Sequence, residues 1–210
     1  MSKVLGIIGA GKVGTAIGRL ATDSGWQVLF YDVAPVDQVA GATLAEGSSD
    51  ATFVSLPELL NAADIVLLAV PFGAASHADL SALSGKVVLD PTNHWPYVDG
   101  PMPELDAWPD STSALLAAHN PKMRLVKSLN HFSYHDFTSD ARSGDVSPRR
   151  AMAVASDDAD ARTIVSEFVD DIGFDPVPVP FDRAKLLEPE GPVFGHWLDA
   201  SGMREALLLS

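Results

Sequence analysis

Glycines at positions 9, 11 and 14 follow an apolar run that begins at Val4, and this Gly-x-Gly-x-x-Gly spacing restricts the fold more than any other feature of the chain. The order it requires is strand, glycine turn, helix. From Lys12 onward, Val13, Ala16, Ile17, Leu20 and Ala21 recur at helical spacing and form one apolar face that packs on a sheet. Each glycine has its own task in such a turn. Gly9 allows the tight bend, Gly11 lets the backbone approach a pyrophosphate, and Gly14 lets helix and strand lie close together. The main chain around Ala10, Lys12 and Val13 then turns its N–H groups toward the phosphates at the helix start. The pattern predicts a dinucleotide site.

The second mark of such a site is an acidic residue at the end of the next strand. Gln27 to Tyr31 reads as that strand, and Asp32 ends it. Its carboxylate can accept hydrogen bonds from the adenosine ribose hydroxyls and would oppose a 2′-phosphate. No Lys or Arg follows before Pro35, so the local chemistry favours NAD over NADP. The alternative role for Asp32 is to cap the following helix.

With 210 residues the chain can bury a sizeable core, as one large domain or as a domain with a small appendage. It contains no apolar stretch long enough to span a membrane and no basic, cleavable leader, so a soluble cytoplasmic protein is expected. The absence of cysteine rules out disulfides, thiolate catalysis and cysteine-bound metal. The formal net charge of −14 opposes binding to nucleic acid or to anionic membranes. Asp157, Asp158 and Asp160 read as signals for the start of a helix, where negative charge is favourable, and not as a metal cluster.

Strand-like and helical runs alternate along the chain, which predicts an α/β, Rossmann-like, doubly wound and mostly parallel sheet with a small C-terminal helical portion. Ser55-x-x-Glu58 is a capping box with Pro57 in the first turn. The strands expected after it are Ile65–Val70, Val87–Asp90, Arg124–Leu129 and Ala151–Ala155, with helices over Ser113–Ala118 and Ala159–Asp171. The prolines of Val177-Pro178-Val179-Pro180 confine that segment to a sheet edge. Residues 1–180 are expected to form the dinucleotide-binding domain, and 181–210 a small segment that closes the acceptor site or joins a second subunit. Either use of that segment would bury Phe194 and Trp197. The apolar end Ala206 to Leu209 suits dimerisation or core packing.

In a doubly wound sheet, ligands lie beyond the carboxyl ends of the strands. The segments in those places are Ala69-Val70-Pro71-Phe72, Asp90-Pro91-Thr92-Asn93-His94 and Asn130-His131-Phe132. Asn93 and Asn130 are candidates to hold a nicotinamide carboxamide or a ring substrate, with Phe72, Trp95 and Phe132 as flat apolar walls. The alternative is that the Asn and Thr side chains satisfy backbone groups in turns.

Together, Gly9-x-Gly11-x-x-Gly14, Leu68-Ala69-Val70-Pro71, Val88-Leu89-Asp90-Pro91-Thr92-Asn93 and Leu125-Val126-Lys127-Ser128-Leu129-Asn130 resemble the NADP-dependent reductases of the deazaflavin coenzyme F420 and their dinucleotide-binding relatives. The resemblance implies hydride exchange between a nicotinamide and a deazaflavin or flavin ring, in a homodimer. With the glycine turn and the post-strand loops, the candidate cofactor contacts are Gly9 to Gly14, Asp32, Ala69, Val70, Pro71, Thr92 and Asn93, and the candidate acceptor contacts are Phe72, Asn130, His131 and His135. The chain departs from the family at Asp32-Val33-Ala34, where the NADP enzymes carry Ser or Thr followed by Arg. It departs again at His131-Phe132-Ser133-Tyr134-His135, where the family has a small apolar stretch.

Hydride transfer between stacked rings asks mainly for positioning, with donors or positive charge near the ring that gains electrons. Lys127 and His131, with His135, are the candidates for that tuning. Lys127 otherwise reads as a surface lysine on the edge of its strand. The i, i+4 spacing of the two histidines suits a metal only in a helix, and none is expected. Ser133 lacks a nucleophile elbow, which removes hydrolysis. Family deazaflavins carry a phosphate and an acidic tail, so Lys122, Arg124, Arg142, Arg149 and Arg150 read either as a receiving patch or as solvated surface. Two other functions fit the chain: reduction of a small imine or carbonyl in the manner of pyrroline carboxylate reductases, and a non-enzymatic redox sensor that binds NAD(P).

Overall fold

The computed structural model describes residues 3–208 apart from residue 145. In chain order the elements are β1 Val4–Ile8, α1 Lys12–Asp23, β2 Gln27–Tyr31, α2 Gly41–Gly47, β3 Ala51–Phe53, α3 Leu56–Ala62, β4 Ile65–Leu68, α4 Phe72–His77 and β5 Val87–Asp90. There follow α5 Pro96–Asp99, α6 Pro103–Asp106, α7 Thr112–His119, β6 Arg124–Lys127, α8 Asp136–Asp140, β7 Ala151–Ala155, α9 Ala159–Asp171, β8 Asp175–Val179 and α10 Ala200–Ala206. The strands form one sheet in the order β3-β2-β1-β4-β5-β6-β7-β8. All neighbours are parallel except β6 and β7, which meet antiparallel through Lys127 and Ala155.

The alternation along the strands decides which side chains face which helices. Leu5, Ile7, Val28 and Phe30 face one layer with Ile17 of α1 and Phe168 of α9, while Val4, Leu29, Val66 and Leu68 face the other with Leu59 and Leu116. Helix α3 begins with the expected capping box of Ser55 and Glu58. Asp158 caps α9 by accepting from the Ala161 N–H at 2.9 Å. β8 lies at the sheet edge, as its prolines require.

Two expected strands are shorter than their apolar runs. β4 stops at Leu68, although the Ala69 N–H still donates to the Ile8 carbonyl at 2.8 Å. β6 stops at Lys127, where it pairs antiparallel with β7: the Ser128 hydroxyl donates to the Ala153 carbonyl of β7 at 2.7 Å, and buried Leu129 takes a left-handed φ of 61°. The short β3 was not among the expected strands.

Residues 181–208 pack on the outer part of the sheet. Ala184, Leu187, Val193, Met203 and Leu207 cover Ala151, Ala153, Ala155, Val177 and Val179 of β7 and β8. Phe194 is half-buried, but Trp197 stays 50% exposed, against the expectation that both would be covered. Leu207 is buried and Leu208 exposed, while Leu209 lies outside the described residues. No helix among the described residues is long and apolar enough to cross a membrane.

Candidate active site

A cavity of about 800 Å³ lies over the carboxyl ends of β1, β4, β5 and β6, which are consecutive in the sheet and so make a continuous floor. Of the sequence-predicted residues, Gly11, Lys12, Val13, Ala69, Val70, Pro71, Phe72, Thr92, Asn93 and Asn130 line it. Trp95 and Phe132, expected as walls, line it too, joined by Tyr97, Tyr134, Asp136, Phe137 and Phe194.

The glycine turn has the shape a pyrophosphate needs. Gly9 has φ +101°, and a Cβ there would lie 2.5 Å from the Ala69 carbonyl oxygen; a Cβ at Gly14 would lie 2.2 Å from that of Gly9. Both are fixed by close packing within the protein. A Cβ at Gly11 would meet nothing within 4 Å, so the absent side chain leaves space in the cavity instead. Helix α1 starts at Gly11 with no side chain capping its free N–H groups and no acidic residue in its first turn. An open cradle, unclaimed N–H donors and the adjacent Lys12 fit the diphosphate of a dinucleotide.

Asp32 lies outside the cavity, at the end of β2. Its carboxylate accepts from the Ala10 N–H at 2.7 Å and the Ala34 N–H at 2.9 Å. It therefore braces the glycine turn and caps its own loop.

Beyond β5 and β6, Asn93 and Asn130 hold one another. The Asn93 amide donates to the Asn130 carbonyl at 2.7 Å, and the Asn130 amide donates to Asn93 Oδ1 at 3.0 Å and to the Leu187 carbonyl at 2.8 Å. Both N–H groups of Asn130 and one of Asn93 are thus committed to shaping the floor and tying down the C-terminal segment, and Asn130 Oδ1 is left buried with no partner.

Lys127 is neither a surface residue nor a wall of the cavity. Its side chain is fully buried, and its ammonium donates to the Thr92 carbonyl at 2.9 Å and to Thr112 Oγ1 at 3.4 Å, with Asp90 Oδ2 at 3.8 Å and Glu188 Oε1 at 3.7 Å. Asp90 also accepts from Thr92 N–H at 2.8 Å, Thr92 Oγ1 at 2.6 Å and Ser113 Oγ. Glu188 accepts from the Thr112 N–H and hydroxyl, both at 2.7 Å. Beneath the cavity, one lysine and two carboxylates hold the Thr92-Asn93 loop, α7 and the C-terminal segment in register. Sequence reading missed Thr112, Ser113 and Glu188, since nothing local joins residues 76 positions apart.

His131 is likewise a buried residue behind the wall. Neither ring nitrogen has a hydrogen-bond partner, and burial, with Arg150 and Lys127 nearby, lowers its pKa to about 4, so the ring is neutral. His135 is exposed outside the cavity, its ring tilted by 33° against that of Tyr134 with centroids 4.0 Å apart. Residues 131–135 are not helical, so the two imidazoles do not share a face, and among the described residues no three His, Asp or Glu side chains gather to hold a metal.

The basic residues between 122 and 150 do not converge on the cavity. Arg124 pairs with Asp158 at 2.7 Å at the amino end of β6, remote from the cavity, and Arg149 pairs with Asp170 and with Asp175 at 2.6 Å. Arg150 lies behind Phe132, paired with Asp140 at 2.7 Å. Arg142 donates to backbone carbonyls of its own segment, and Lys122 is exposed away from the lining.

The fold, the glycine turn and the cavity define a dinucleotide-binding protein of Rossmann type. Residues 1–82 match the family model of the D-isomer specific 2-hydroxyacid dehydrogenase NAD-binding domain. Over 69 residues the chain is 42% identical to D-3-phosphoglycerate dehydrogenase of Escherichia coli, covering 33% of this chain and 15% of that protein. Over 93 residues it is 37% identical to erythronate-4-phosphate dehydrogenase of Psychrobacter arcticus, covering 43% and 22%. The chain thus spans between 13% and 22% of the length of the curated relatives it matches. Among solved structures, a hypothetical protein of Sinorhizobium meliloti superposes with a TM-score of 0.77 at 21% identity, over 95% of this chain and 96% of that one. A protein of Arthrobacter described as an F420-dependent NADP-reductase gives 0.66 at 20%, over 98% and 89%, and an imine reductase of Myxococcus stipitatus in complex with NAD+ gives 0.57 at 16%, over 99% and 60%. These structural likenesses show the shared fold.

Proposed function

We propose that the protein is an NAD(P)H-dependent oxidoreductase that reduces a flat, conjugated acceptor. The observation that carries this reading is the cavity itself, which runs from the open cradle at Gly11 to the aromatic walls beyond β5 and β6 and so joins a dinucleotide end to an acceptor end. When bound, the nicotinamide supplies the hydride.

The chain's own part is positioning and the exclusion of water. Gly11, Lys12 and Val13 receive the diphosphate, Ala69 to Phe72 form the side of the cleft, and Thr92, Asn93 and Asn130 form a floor held rigid from below by Lys127. Rigid placement is the main catalytic device that such a reaction requires. Asp32, with no cation before Pro35, supports NADH as the preferred donor.

The resemblance noted in the sequence supports a deazaflavin- or flavin-type ring as acceptor. The alternative, a small imine, is supported by a cavity whose walls are aromatic and whose lining includes one carboxylate, Asp136. In either case the C-terminal segment reaches the acceptor end through Phe194 and Gly195, with Phe194 edge-on to Trp95 at 6.0 Å between centroids. The test is to titrate the protein with NADH and NADPH and then to offer the bound reduced nucleotide FMN, a deazaflavin and cyclic imines. Oxidation with a ring acceptor supports the proposal; tight binding with no oxidation by any of them favours the redox sensor.

A further inference from the structure

Building on the proposed hydride-transfer reading, we propose that the acceptor end of the cavity selects a flat cationic ring, with Asp136 as the residue that sets this preference. The family resemblance points instead to a polyanionic deazaflavin, and the charges around the cavity argue against it.

Six aromatic rings line this end: Trp95, Tyr97, Phe132, Tyr134, Phe137 and Phe194. Ring faces carry negative electrostatic potential and attract cations within about 6 Å. The protein already uses them so, with Lys12 Nζ 5.8 Å from the Tyr134 centroid and the Arg150 guanidinium 4.3 Å from that of Phe132. Among the described residues Lys12 is the one basic side chain in the lining; it begins α1 beside the diphosphate cradle and its ammonium reaches Tyr134, so it is the one positive charge in the lining that a cationic ring would meet.

Asp136 is the acidic side chain of the lining, with its side chain 46% exposed. Its cationic neighbour is Arg150, at 3.7 Å, but that guanidinium is 4% exposed, lies behind Phe132 and bonds more closely to Asp140 at 2.7 Å. One positive charge thus faces two carboxylates, and the excess negative charge belongs to the one that faces the cavity. Among the described residues the five basic residues do not form a receiving patch at the cavity, because Arg124, Arg149 and Arg150 are paired with carboxylates and none of the five lines it. The overall charge of −14 acts in the same direction.

The test measures binding as well as turnover. Three flat probes are titrated into the protein saturated with NAD+, followed by quenching of tryptophan fluorescence: N-methylquinolinium as cation, riboflavin as neutral ring and FMN as anion. The expected order is cation, neutral, anion, with the cation bound at least about tenfold more tightly than FMN and the gap narrowing as salt is added. Asp136→Asn should reduce cation binding by about fivefold to tenfold and leave riboflavin nearly unchanged, and Asp136→Glu should restore the preference. FMN binding as tightly as the cation, absence of binding by all three, or an unchanged cation-to-neutral ratio in Asp136→Asn would overturn the assignment. Cation binding without NADH oxidation by any acceptor would instead sustain the charge preference and remove the hydride-transfer reading.

Discussion

At the scale of single residues, the three glycines of the turn separate folding from binding. Gly11→Val should leave stability within about 0.5 kcal/mol, since its side chain points into open space, yet weaken NADH binding by tenfold or more as a rough guide. Gly14→Ala should do the reverse, costing about 1–3 kcal/mol by forcing a Cβ against the Gly9 carbonyl. Urea unfolding and NADH titration of both variants check the pair. Asp32→Ser with Ala34→Arg should move the preference toward NADPH, and equal affinities for the two nucleotides in the unaltered protein would contradict the role given to Asp32. His131 carries a pH signature. Its native pKa of about 4 lies below the value near 6.5 of an unfolded histidine, because burial penalises the charged ring. The unfolded chain therefore takes up a proton that the native protein refuses, so this contribution is complete above about pH 6.5 and is lost as the pH falls toward 4. The loss between pH 7 and pH 5 should be on the order of 2 kcal/mol, and His131→Leu should flatten that slope in urea titrations at the two pH values.

At the scale of elements, the buried Lys127, Asp90 and Glu188 link β5, β6, α7 and the C-terminal segment. Lys127→Met should destabilise the protein by about 3–5 kcal/mol, because it leaves two carboxylates buried without their cation. Adding Asp90→Asn and Glu188→Gln should recover part of that loss in urea unfolding. This cluster also marks how far the sequence can be read. The turn from β1 into α1, the capping box of α3, and the prolines of β8 are local patterns, and each produces the element expected from it. Asn93, Phe72 and Phe132 were legible as site residues because a doubly wound sheet places every post-strand loop at the same edge. The burial of Lys127 and His131 was not legible, since it depends on β7 pairing antiparallel beside β6 and on Glu188 arriving from the C-terminal segment. Neither event leaves a mark in the residues around Lys127. β6 ends two residues early at this pairing, and Leu129 just beyond it takes a left-handed turn.

At the scale of the whole molecule, one sheet edge collects the diphosphate cradle, the Asn93–Asn130 floor and the aromatic walls, while the opposite edge of β6 carries ion pairs remote from the chemistry. We propose homodimerisation as well, and sedimentation should then give twice the mass of one chain. The measurement that bears most directly on the central claim is a titration of the purified protein with NADH and NADPH, followed by the loss of reduced-nicotinamide absorbance when a flat acceptor is added. The account predicts saturable binding, tighter for NADH, abolished or strongly weakened in Gly11→Val, and oxidation once an acceptor fills the aromatic end. Failure of both nucleotides to bind, or binding indifferent to Gly11→Val, would contradict it.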